Sequence, residues 1–163
     1  MTRPLSSLGI IHTVISLLPI GAALYSFLRF RGIETETRSG RIYLAGLALS
    51  VVTSFGLSST GGLNPGHVLG IVALIVALSA LLVSRMQFLG WTRPYLSAFG
   101  LSFSFFLLLV PGIAETVTRL PAGQPFASGP QDPVVARLLL SWLVIFIIGF
   151  ALQARALRPK ATS

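Results

Sequence analysis

At 163 residues, with a mean hydropathy of +0.85, 53% apolar residues and only 10% charged, this chain has too little polar surface to face water all round, and it reads as a membrane protein. Its formal charge of +8 would suggest nucleic acid in a soluble protein. In this composition the basic residues instead orient membrane spans, and no nucleic-acid partner is expected. The absence of cysteine excludes disulfides, iron–sulfur clusters, thiolate zinc sites and thiol catalysis.

A hydrocarbon core of roughly 30 Å needs about 20 mostly apolar residues per helical span, and the chain offers five such runs. The first, about residues 8–30, carries Pro19 near its middle, which removes a backbone donor and predicts a bend. It is longer than a signal-peptide core and lacks an Ala-x-Ala type cleavage site, so it is expected to be retained. The second, about residues 40–58, is short and repeats Gly46, Ser50, Ser54 and Ser58 every fourth residue. The third, about residues 65–84, opens on Asn64 as N-cap and Pro65 in the first helical position, with Gly66, Gly70, Ala73, Ala77, Ala80 and Ser84 along one side. Small residues at this spacing let helix backbones approach closely.

The fourth run, about residues 94–118, starts with Pro94 and is expected to be interrupted at Pro111-Gly112. The fifth, about residues 133–155, repeats the entry device with Asp132 as cap and Pro133 after it. Between them, "RLPAGQPFASGPQDP" is rich in Pro, Gly and Ser and reads as an irregular loop that could dock a partner. The fold class is therefore an all-α polytopic transmembrane helix bundle in a single domain: four core helices, with the fifth added on the outside or used at a subunit interface.

The charges give the direction. Arg29, Arg31, Arg38 and Arg41 bracket the first connection, Arg85 and Arg93 the third, and Arg155, Arg158 and Lys160 the tail, whereas the opposite side holds only Arg3, Arg119 and Arg137. The positive-inside rule then places the N-terminus outside and the C-terminus in the cytoplasm. Trp91, Tyr95 and Tyr43 stand at the cytoplasmic ends of their spans, where interfacial aromatics belong.

Ionisable groups near membrane depth are few, so each is a candidate for chemistry. His12 lies roughly 6 Å into the first span at about 1.5 Å per residue, His67 on the first turn of the third, and Glu115 in the last turn of the fourth. All three fall in the exterior half of the predicted topology. Two histidines at similar depth on parallel spans are what a bis-imidazole haem b site requires, with Gly9, Ser16 and Gly70 leaving room for a flat macrocycle. His12, His67 and Glu115 together form a set that suits zinc or non-haem iron. A plainer reading makes the histidines polar residues that bond near helix ends, and Glu115 a surface carboxylate paired with Arg119 one turn on. No nucleophile–base pair, phosphate-binding glycine loop or carboxylate dyad is present, so no catalytic residue is assigned.

Taken in order, His12, "RFRGIETETRSGRIYLAG", "GGLNPGHVLG", "SRMQ…TRPYLSAFG" and "AETVTRLP" resemble a family of small bacterial membrane proteins of unknown function, over about residues 11–121. The resemblance implies exterior histidines matching His12 and His67, and two further histidines on the other side. This arrangement is similar, by analogy, to that of two-haem transmembrane cytochromes. Here Thr37 stands where the histidine before Arg38 is expected, and Trp91 or Thr92 near the other, so only the exterior pair is retained. Two expectations follow for a multi-pass protein of the bacterial inner membrane, with lipid as its first partner. One is an accessory or structural subunit that docks onto other membrane subunits, and the other a redox-linked membrane protein binding haem b or a metal through His12 and His67.

Overall fold

A computed structural model describes residues 7–56, 64–121 and 123–158, and among them every regular element is helical. The helices are α1 (Ser7–Phe30), α2 (Arg38–Phe55), α3 (Pro65–Val83), α4 (Arg93–Arg119) and α5 (Pro133–Ala156), with a short 3₁₀ segment, Gln87–Thr92, leading into α4. Their limits fall within a few residues of the five predicted runs, because the entry signals act locally. Asn64 Oδ1 accepts the His67 N–H at 3.0 Å, and Asp132 Oδ1 accepts the Val134 N–H at 2.9 Å. Each satisfies a donor that the first helical turn cannot bond internally. Thr37, which stands in place of an expected histidine, is the cap of α2: its Oγ1 accepts from Gly40 N at 3.1 Å and donates to Glu34 O at 2.7 Å. Ser58, the last of the predicted small residues on the second run, lies outside the described residues.

Four segments are long and apolar enough to cross a membrane: α1, α3, the 3₁₀ segment with α4, and α5. α2 falls short in apolarity because Arg38, Arg41 and five hydroxyl residues occupy its 18 positions. α4 is not interrupted at Pro111-Gly112; it runs through Pro111 without a break. A bundle helix tolerates the lost donor when neighbouring side chains and local adjustment serve the freed backbone. α1 likewise continues through Pro19.

Successive helices alternate in direction. His12 meets Thr53, Ser16 meets Ser50 and Ser26 meets Ser39, so α1 and α2 run antiparallel in one fixed register. Pro19 packs on Gly46, where a Cβ would stand 2.8 Å from the proline Cδ. α3 and α4 close through Ala73, Ala77 and Ala80, all buried, and Gly100, where a Cβ would lie 2.6 Å from that of Ala80. The small-residue stripes read from the sequence are thus the helix seams, as close backbone approach requires.

Leu47, Leu101 and Phe105 fill the centre with Tyr43. Tyr43 corrects the sequence reading, which placed it at the interface. It is fully buried, and its hydroxyl donates to Ser104 Oγ at 2.6 Å, which in turn donates to Leu101 O at 2.7 Å. A phenol removed from water needs such a partner, and α2 turns this residue toward α4. Trp91, by contrast, is 80% exposed, as an interfacial aromatic should be.

α5 packs chiefly on α4. Phe99, Phe103 and Phe106 of α4 interleave with Phe146, Phe150 and Trp142 of α5 at ring separations of 5.0–6.1 Å. Two polar bonds accompany the rings: Ser102 Oγ donates to Gln153 Oε1 at 2.7 Å, and Trp142 Nε1 donates to Phe106 O at 3.1 Å. The segment before α5 folds back on the end of α4. Phe126 N bonds to Leu120 O and Ala127 N to Val117 O, leaving Ala127 buried. Asp132 Oδ2 accepts from both the backbone N–H and the hydroxyl of Ser128 at 2.9 Å. The Ser128 N–H foremost, then those of Val134 N and Ser128 Oγ, hold its carboxyl below the ordinary value.

Two outcomes follow. Gly100→Ala forces the α3–α4 seam apart and is expected to cost about 1–3 kcal/mol in thermal unfolding of the detergent-solubilised protein; Gly112→Ala, with nothing within 4 Å of the added carbon, is not. The depressed Asp132 carboxyl makes its contribution above the unfolded-state value and loses it as pH falls through the folded-state one. Amide-exchange protection at Ser128 and Val134 is therefore expected to hold from neutrality down to about pH 4 and to decline below it.

Candidate functional site

The alternating directions bring the first turns of α1 and α3 to the same end of the bundle as the last turn of α2. The two histidines meet there, on successive residues of α2. His12 Nδ1 lies 2.9 Å from Thr53 Oγ1, and His67 Nε2 lies 2.8 Å from the Ser54 carbonyl oxygen.

The hydrogen-bond network assigns a tautomer to each ring. Asn64 N–H can only donate, so His67 Nδ1, 3.0 Å away, is its acceptor. Nε2 then carries the proton and donates it to Ser54 O. Asn64 and His67 thereby form a reciprocal capping box in which an imidazole takes the place usually held by Glu or Gln. Ser54 O lies in the last turn of α2, where it also accepts the Gly56 N–H of the helix cap. The ring is stacked on Phe55 with centroids 5.2 Å apart and planes 2° from parallel, and the residue is 3% exposed. Both ring nitrogens are occupied.

Thr53 Oγ1 donates to Leu49 O at 2.9 Å and shares that proton with Ser50 O at 3.2 Å, so it accepts from His12 Nδ1–H. His12 Nε2 is then the acceptor. Ser16 Oγ lies 3.4 Å from it and 2.6 Å from Ser50 Oγ. A directed chain results, Ser50 to Ser16 to His12 to Thr53 to the α2 backbone, with each hydroxyl giving one proton. The space that the sequence reading reserved for a macrocycle is taken up by α2: Ser16 meets Ser50, Gly9 is buried, and a Cβ on Gly70 would stand 3.4 Å from Val51 Cγ2.

Glu115 does not join this group. It pairs with Arg119 one turn along α4, and the two side chains are 59% and 60% exposed. Such a surface pair contributes about 0–1 kcal/mol. Among the described residues, no three His, Cys, Asp or Glu side chains converge as a metal centre would require. As arranged, the pair does not fit a haem either, since both His67 nitrogens are engaged, and ligation would cost the ring its bond to Asn64 N–H or to Ser54 O. What the geometry does chemically is fasten three helices at one end.

Sequence reasoning placed the histidines at one end and missed their partners. The available signal was the hydroxyl pair Ser50 and Thr53, on one side of the last turns of α2, which meets Ser16 and His12; His67 takes the backbone carbonyl of Ser54, for which a side-chain pattern gives no signal. No family model, curated protein or solved structure matches the chain.

His67→Ala removes two part-buried hydrogen bonds, to Asn64 N–H and to Ser54 O, each worth about 0.5–1.5 kcal/mol net, together with the ring's packing on Phe55. It is expected to lower the unfolding temperature markedly, whereas His67→Gln, which offers one acceptor and one donor, recovers most of the loss. A ligand role predicts instead that both variants lose bound cofactor alike, because glutamine does not replace imidazole on iron.

Proposed function

We propose that this chain is a five-span integral membrane protein, N-terminus outside and C-terminus cytoplasmic, that serves as an accessory or structural subunit of a larger membrane complex. Four of its helices meet the requirement for crossing on their own. α2 measures about 27 Å at about 1.5 Å per residue and is antiparallel to α1 throughout, which supports a fifth crossing shielded by its neighbours. Arg29, Arg31, Arg38, Arg41, Arg85, Arg93, Arg155 and Arg158 gather at one end, against Arg119 and Arg137 at the other, which favours that end as cytoplasmic. The resemblance noted above extends the reading to the bacterial inner membrane.

The observation that carries the accessory role is the state of α5. Of its residues only Val135 and Gln153 are buried, and Leu140, Val144, Ile147, Ile148 and Leu152 stand outward. A helix so little used by its own bundle suits lipid on one side and a partner helix on the other. The polar groups at the histidine end, meanwhile, are spent on holding the fold.

The second reading, haem b or a metal on His12 and His67, has in its favour that the two rings share one end and successive α2 residues. Purification in mild detergent, with photocrosslinkers placed at Ile147 and Ile148, separates the readings. The accessory role expects a colourless protein crosslinked to another membrane polypeptide. A low-spin haem absorption lost in both His12→Ala and His67→Ala, or a stoichiometric metal lost in both, overturns it, as does a crosslink-free monomer in native membranes.

A further inference from the structure

A groove of about 490 Å³ runs down the outer side of the α1–α2 seam, toward the end where the arginines gather. Leu17, Leu18, Gly21 and Ile42 line its apolar length, and Tyr25 and Arg38 stand at its mouth. Along α1 it extends from Tyr25 to Leu17, about 12 Å at about 1.5 Å per residue.

Two observations indicate what fits it. Arg38 is exposed and, among the described residues, makes no hydrogen bond or ion pair, although Glu34 and Glu36 lie in the same connection. A guanidinium offers five donors in a planar fork suited to phosphate. Gly21 sits in the middle of α1, where glycine is less stable than alanine, yet a Cβ there would meet nothing within 4 Å. No helix contact requires glycine at that position; its effect is to keep the groove open.

The geometry points to a bound anionic phospholipid, its phosphate on Arg38 beside the Tyr25 hydroxyl and one acyl chain along Leu17, Leu18, Gly21 and Ile42. A cation set where an apolar trough reaches the headgroup level matches a molecule that is charged at one end and hydrocarbon for the rest. The assignment rests on the membrane-spanning reading, under which the Arg38 end faces the anionic cytoplasmic leaflet.

The test is native mass spectrometry of the full chain, released from nanodiscs of phosphatidylglycerol and phosphatidylcholine mixed equally. Wild type is expected to retain one phosphatidylglycerol in preference to phosphatidylcholine. Arg38→Gln should reduce that retention by roughly fivefold, the order expected for one juxtamembrane cation. Gly21→Leu fills the trough without touching the fold and should reduce it with Arg38 still in place. Equal retention of the two lipids, or phosphatidylglycerol retention unchanged in Gly21→Leu, overturns the inference. Carbonate washing of the source membranes distinguishes the failures: a chain that stays in the membrane but binds no lipid sinks the groove alone, and a chain that washes off sinks the spanning reading and the groove together.

Discussion

The imidazole of His67 joins two helix ends by bonding a backbone group of each. It accepts the Asn64 N–H at the start of α3 and donates to the Ser54 carbonyl at the end of α2. Next to hydrocarbon an unsatisfied backbone group costs several kcal/mol, so a side chain serving both ends makes a tight joint between them. Phe55 covers the ring, and both of its nitrogens are engaged. His12 makes the matching connection from α1 to the same turn of α2 through Thr53. α2 is the hub of this end, and its lower apolarity combines Arg38 and Arg41 at its far end with the hydroxyls that meet α1 and α4.

Along the rest of the bundle, packing replaces polarity. Lipid is as apolar as leucine, so burying leucine against leucine gives these helices little reason to associate. They rely instead on close approach at Gly46 and Gly100, on the alanine stripe of α3, and on hydroxyl pairs that find one another across a seam. Tyr43 and Ser104 do the same across α2 and α4 at the centre. The larger apolar side chains are left to face outward, which is the inverse of a water-soluble core.

Helix limits were legible because Asn64, Pro65, Asp132 and Pro133 act on their own first turn, and the seams because small residues recur with the helical period. The shared end of His12 and His67 was legible from direction alone. Their partners were not: His67 takes the backbone carbonyl of Ser54, which any residue there would offer, and the neighbour that the hydroxyl side of α2 meets is set by packing that the sequence does not show. The same ambiguity hid Tyr43, whose type suits a membrane surface and whose position is a core. Pro111 misled for a different reason, since the cost of its missing donor is set by surroundings that the sequence does not show.

The contact between α4 and α5 combines two kinds of bond with different tolerances. Stacked and tilted rings accept small displacements, because dispersion has little directional preference. The Ser102–Gln153 and Trp142–Phe106 bonds do not: they sit about eleven residues apart on α5, and an axial slip of one turn breaks both. The rings therefore supply adhesion and the two polar bonds supply alignment, so that α5 has one resting height against α4 and departs from it only by detaching altogether.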